Sequence, residues 1–232
     1  MNKNDNNETI YVNVSPKDKQ DFTVAANVQK GEPTTQDTPW FKRLCNALRE
    51  RAFRHAQRKQ PAKQAFFPSY TRIKKVFILF ESDLLERNSQ VKQLIRELQA
   101  DGKTVTAWGF VDKKQISSAI LRDYRILGSQ DVNLLGQPKE HERNDLKHEH
   151  FDLLISLNIN NIMPLRYLGL YADADFRAGM KTDEPYENDF MVALPDDEKN
   201  IVYLFDQIML YLRKINADNT YQTMHTQPAN KK

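Results

Sequence analysis

The sequence predicts an α/β domain: a three-layer sandwich on a mostly parallel sheet of about five strands, Rossmann-like or flavodoxin-like, preceded by a basic amphipathic helix. Three observations predict it. Short unbroken apolar runs have the length of strands covered on both faces. Stretches with apolar residues at i, i+3, i+4 and i+7 have the period of helices packed on one side. The two kinds alternate along residues 73–216, and strand, helix, strand order implies crossover connections into a parallel sheet.

The elements follow in chain order. Residues 1–38 are polar and contain Pro16 and Pro33, with too few apolar side chains to offset the entropy of ordering them, so a mobile tail is expected. Inside it "TIYVNV" alternates with period two, which leaves an adhesive strand as the alternative. Residues 39–72 divide into a helix and a linker. The helix, "PWFKRLCNALRERAFRHAQRK", opens on Pro39, a residue tolerated in a first turn. Its Leu44, Leu48, Ala52 and Ala56 recur every four residues, and Arg43, Arg49, Arg51, Arg54, Arg58 and Lys59 fill the rest of its surface. "QPAKQAFFPSY" carries two prolines and aromatics expected to be exposed, and reads as the linker.

"KKVFILFES" is the first buried strand. Val91, Leu94, Ile95 and Leu98 then mark a helix that stops at Gly102, and "KTVTAWGFV" is the second strand. Residues 113–150 fit a short helix over "QISSAILRDY" and a turn-rich connection over "DVNLLGQPKEHERNDLKHEH". "FDLLISL" restores the buried-strand signature. The helix "NIMPLRYLGLYADA" follows, with Asn160 or Asn161 as its cap and Pro164 in its first turn. "DFRAGM" and "DFMVAL" are further strands. Ile201, Phe205, Ile208, Leu212 and Ile215 mark a last helix with acids before it and Arg213 and Lys214 at its end. Residues 217–232 form a second polar tail.

A chain of 232 residues, 40% hydrophobic and 28% charged, suits one domain with tails. Its single cysteine, Cys45, excludes an internal disulfide framework and a four-cysteine metal site, and fits a reducing compartment. Neither a signal-peptide core nor an apolar run of about 20 residues is present, so a soluble cytoplasmic protein is expected. Net charge is only +3, but residues 40–75 hold eleven Lys or Arg against Glu50 alone, and residues 173–198 hold nine acids against Arg177 and Lys181. That separation suits an external polyanion or the protein's own acidic face.

In parallel sheets ligands bind beyond the carboxyl ends of the strands. Those ends carry Glu81, Ser82, Asp83, Lys113, Asn158, Asn160 and Lys181, which make a candidate polar ligand rim, although polar residues also stand wherever a strand surfaces. No glycine follows the first strand, as a dinucleotide site would need, and neither a phosphate-binding G-x-x-x-x-G-K-[ST] nor a G-x-S-x-G elbow occurs. His141, His148 and His150 lie among acids, yet a solvated loop explains them without zinc, whose structural sites usually include cysteine. The sequence therefore nominates no catalytic residue, metal or cofactor. The basic helix is left as the partner-binding element, through Arg43, Arg49, Arg51, Arg54, Arg58 and Lys59. RNA, as in the ribosome, or another protein fits it better than a membrane surface, and packing on the domain itself is the structural alternative. The competing reading is a small enzyme or ligand sensor acting at the C-terminal rim of the parallel sheet, the enzyme working through Glu81, Asp83 and Asn158. Oligomeric state is not legible.

Taken together, "VFILFES", "VTAWGFVDKK", "DVNLLGQPK", "FDLLISLNINNIMPLRYLGLYADADFRAGM" and "LFDQIMLYLRKIN" resemble a Bacteroidota family of small α/β proteins known as a domain of unknown function, over residues 73–216. The resemblance implies the fold and a bacterial cytoplasm, and it brings no catalytic residues. The fourth of these stretches also resembles part of the N-terminal half of heptosyltransferase-like glycosyltransferases. Those enzymes look like two such domains with a sugar-nucleotide site in the second. Over 30 residues this likeness implies shared fold and not a complete enzyme of that kind.

Overall fold

The computed structural model describes residues 10–13, 39–61, 65–83, 86–112, 119–120, 124–182 and 187–215. Its strands are β1 (Ile10–Asn13), β2 (Lys75–Glu81), β3 (Thr104–Phe110), β4 (Ala119–Ile120), β5 (Arg125–Leu127), β6 (His150–Leu157), β7 (Asp173–Met180) and β8 (Phe190–Ala193). They form one sheet in the order β1-β8-β7-β6-β2-β3-β5-β4. Of these strands only β4 runs antiparallel to its neighbour. The six strands from β8 to β5 are mutually parallel, so the α/β sandwich is what the chain adopts.

The helices are α1 (Pro39–Arg58), α2 (Glu86–Ala100), α3 (Glu140–Lys147), α4 (Met163–Tyr171) and α5 (Ile201–Leu212). Because side chains alternate along a strand, β2 feeds two cores. Val76, Ile78 and Phe80 pack with Val91, Leu94, Ile95 and Leu98 of α2 and with Leu204, Phe205 and Ile208 of α5. Phe77 and Leu79 pack on the opposite face with Leu146 of α3 and Leu165 and Leu168 of α4. That double burial is why β2 reads as an unbroken apolar run.

The central strand β2 is flanked by β3 and then β5 on one side, and by β6, β7 and β8 on the other. This is the doubly wound order in which the chain, after building outward in one direction, returns beside its first strand and builds the other way. The switch point therefore lies between β2 and β6, paired in register at Ile78↔Ile155. Close packing at β3 demands Gly109, since a Cβ there would lie 2.7 Å from both the Phe80 ring and Ile126 Cδ1.

Four local expectations are corrected. Ala119–Ile120, read as part of a helix, forms β4. The turn-rich connection contains α3, which buries only Glu142 and Leu146 and so shows no apolar period to read. The 60–72 linker is packed down: Phe67 and Tyr70 are buried, and Lys103 Nζ donates to the carbonyls of Tyr70 (2.8 Å) and Ile73 (2.7 Å). Of its aromatics Phe66 is exposed as expected. Neither Asn160 nor Asn161 caps α4, whose N-cap is Ile162. Within the segment expected to be a tail, Ile10–Asn13 forms β1 along β8; the rest of that tail, and residues 217–232, lie outside the described residues.

Candidate functional site

Two places can carry function: the strand rim at the switch point, and the surface of α1. At the rim, Glu81 ends β2 and is buried. Its Oε1 accepts the Asn160 backbone N–H at 2.6 Å, and its Oε2 accepts the Asn160 amide at 2.5 Å and Arg87 NH1 at 2.9 Å. One carboxylate thus ties the end of β2 to the β6–α4 loop and the start of α2, across the crevice where a doubly wound sheet takes its ligand. Asn158 closes its own loop, its Oδ1 accepting from Ile162 N (2.7 Å) and its Nδ2 donating to Ile162 O (3.0 Å). This five-residue turn carries Asn161 at φ +54°, a left-handed conformation that asparagine tolerates. Ser82 Oγ donates to Asn88 Oδ1 at 2.9 Å, and Asp83 accepts the Arg87 N–H in the manner of a helix cap. Lys181 follows β7 at the surface, and its N–H bonds Val192 O at 2.8 Å. Lys113 lies outside the described residues. The structure brings Glu81 and Asn160 together, with Ser82, Asp83 and Asn158 nearby in the chain, and it engages each in holding a loop.

The histidines are distributed over separate groups. His141 Nε2 lies 2.8 Å from Glu142 and, with Asp131, makes one cluster of donor atoms. Burial pushes the Glu142 carboxyl up, and the Arg125 guanidinium at 2.6 Å opposes that shift. Any cation there would have to share Glu142 with Arg125. His148 caps the end of α3. His150 begins β6 and stands between Asp173 (2.9 Å from Nδ1) and Asp175 (3.1 Å from Nε2). Asp152, also near it, accepts the backbone N–H groups of Lys74 (2.6 Å) and Lys75 (2.9 Å).

The surface of α1 is arranged differently. Steps of four residues advance about 40° around a helix, so the row Leu44, Leu48, Ala52, Ala56 winds through about 120°. Its lower half turns toward the domain while its upper half turns outward: Leu44 is 47% and Leu48 51% exposed, as is Trp40 at 64%. The buried anchor is Phe53, which meets the Tyr167 ring edge-on at 5.1 Å between centroids and lies 4.2 Å from the Arg166 guanidinium. Arg166 in turn binds Glu50 at 2.5 Å and Glu187 through Nε at 2.8 Å. Arg166 thereby joins the basic helix to the acidic 173–198 segment. Burial works to lower its pKa, but Glu187 and Glu50 outweigh burial and hold it above the ordinary value.

Arg49 also faces the domain, its Nε donating to Leu134 O at 3.1 Å. Arg43, Arg51, Arg54, Arg58 and Lys59 are exposed. Of the residues that fix α1, the sequence singles out Glu50 only as the one acid among eleven bases. Phe53 is hidden when the stripe is drawn through the leucines; Glu50 and Phe53, three apart and therefore neighbours on the helix, are the signal that finds this face.

Among the described residues no helix is long and apolar enough to cross a membrane. One family model matches the chain, that of a family of unknown function, over residues 46–215. No curated protein matches, and no solved structure does.

Proposed function

From the premise that the chain belongs to this family of unknown function, DUF6913, we propose that the protein is a non-catalytic adaptor that docks on RNA through the outward face of α1. One observation carries the reading. The only acid of the basic segment, Glu50, is turned inward onto Arg166, which leaves an outward face with Arg43, Arg51, Arg58 and Lys59 and no other carboxylate on α1. Such a face attracts a phosphate backbone and releases its counterions. Trp40 on the same side offers a ring for base stacking. The non-catalytic part is supported by the rim, where Glu81, Ser82, Asp83 and Asn158 are each engaged in holding a loop. The adaptor works in the cytoplasm, without a cofactor.

The test is fluorescence anisotropy of a labelled single-stranded RNA titrated at several salt concentrations, beside vesicles of anionic and of neutral lipid. The expected log-log salt slope is about −3 or steeper. The triple variant Arg43→Glu, Arg51→Glu, Arg58→Glu is expected to lose binding at least tenfold with an unchanged melting temperature. Absence of RNA binding at low salt overturns the proposal. So does binding to anionic vesicles without RNA binding, for which exposed Leu44 and Leu48 would supply the apolar contact.

A further inference from the structure

Three features of β1 bear on how firmly it is held. It is one of the two edge strands of the described sheet, joined to β8 in parallel register from Ile10↔Phe190 to Asn13↔Ala193. It falls outside the span matched by the family model, 46–215. It is separated from α1 by residues 14–38, whose 25 residues reach up to about 85 Å when extended.

These features make β1 a weak, tethered occupant. A four-residue pairing supplies few hydrogen bonds, each with a net contribution of about 0.5–1.5 kcal/mol, against a backbone ordering cost of about 1–2 kcal/mol per residue. β8 is the opposite case. Phe190, Met191 and Val192 are buried, and the strand is fixed from its other side by Ala178↔Phe190, Gly179↔Met191 and Met180↔Val192. Its outer edge is therefore held ready whether or not β1 is bound, and an unpaired parallel edge is a template for another chain.

We propose that the outer edge of β8 is a strand-accepting site for an extended segment of a partner protein, and that β1 is its tethered occupant, displaced when the partner binds. β1 itself shows what the site takes: a short strand with β-branched and aromatic residues, Ile-Tyr-Val-Asn, running parallel to β8. Backbone hydrogen bonds supply the affinity and the alternating side chains the selectivity, as in strand-addition recognition generally. The inference is independent of α1 and of RNA.

The probe is a fluorescent peptide of residues 8–15, ETIYVNVS, added to the full chain and to a full chain carrying Tyr11→Pro and Val12→Pro. Successive N–H groups of a strand point to opposite sides, so the pair of prolines removes one facing β8 whichever it is. The proline variant is expected to bind the peptide at least tenfold more tightly than the unaltered chain, and a peptide carrying the same prolines is expected not to bind. Equal affinity for both chains, or no binding to a proline variant that melts like the wild type, overturns the proposal. Should the variant fail to fold, β1 is an integral strand and the proposal also fails. Hydrogen exchange on the unaltered chain gives a second readout. The Ile10–Asn13 amides are expected to exchange at least a hundredfold faster than those of β6, and equal protection refutes displacement.

Discussion

Glu50 of α1 and Arg166 of α4 lie 116 residues apart in the chain and meet at 2.5 Å, with the Arg166 side chain 1% exposed. The contact fixes which way a helix with eleven bases in and around it faces. Arg166 also holds Glu187, so it compensates two carboxylates at once. Replacing it by Met keeps the volume and leaves the nearly buried Glu187 without its cation, which is expected to cost about 3 kcal/mol. Glu50→Gln, at a partly exposed position that retains an oxygen acceptor, is expected to cost about 1 kcal/mol. Urea unfolding of both variants checks the order; a larger loss for Glu50→Gln would show that Arg166 is not the anchor.

Phe53 is the apolar half of the same anchor. Truncation to Ala removes a fully buried ring from between Tyr167 and Arg166 and is expected to lower stability by about 3 kcal/mol. Leu48→Ala, on the outward side, is expected to stay within about 0.5 kcal/mol of wild type. Equal losses in chemical denaturation would mean that both faces of α1 are packed.

His150 links stability to pH. Its ring can donate to Asp173 and Asp175 together only as the imidazolium, and the Asp173 hydrogen bond raises its pKa above the ordinary histidine value, against a smaller opposing effect of burial. A pKa raised by folding contributes stability that is fully present below the unfolded value of about 6.5 and is lost as pH rises through the folded value. The stability difference between wild type and His150→Gln is therefore expected to be largest in mildly acidic buffer and to shrink toward alkaline pH. Thermal melts across that range decide it, and a difference growing with pH contradicts the assignment. Asp152 pulls the other way at lower pH. Burial tends to raise its carboxyl, but the N–H groups of Lys75 and Lys74 prevail and hold it below its ordinary value, so its contribution is lost only on acidification.

Glu81 tests the rim. Glu81→Gln replaces an acceptor by a donor opposite the Asn160 amide groups and is expected to destabilise by about 2 kcal/mol. In a thermal-shift screen of sugars, nucleotides and divalent metals, wild type and variant are expected to respond alike. A compound that stabilises only the wild type would restore the enzyme reading.

At the core, Gly109→Ala places a methyl 2.7 Å from Phe80 and Ile126. Overpacking of about 1–3 kcal/mol is expected, visible as a lowered denaturation midpoint. A neutral result would show that the Phe80 ring yields.

The readability of each element follows from how many neighbours it has. β2, β3, β6 and β8 announce themselves as short apolar runs of strand length, and helices α2 and α5 by buried faces that repeat with a fixed period. β5 has three residues and β4 two, too few for any period, and both are defined by pairing with a strand elsewhere in the chain. The asparagines after β6 are recognisable as structural, but not for the reason the sequence offers. A cap needs only the next turn of helix, whereas Asn160 is placed by Glu81, 79 residues earlier.

The amino-acid sequence by itself determined the α/β class and the principal parallel strands, because apolar patterning and composition act locally along the chain. Only the tertiary structure decided what the polar residues do. Whether Glu81 faces a ligand or Asn160, and whether Glu50 faces solvent or Arg166, depends on partners brought within about 3 Å from far along the sequence. A charged or amide side chain carries no periodic signal that names its partner; burial, which only folding creates, requires one.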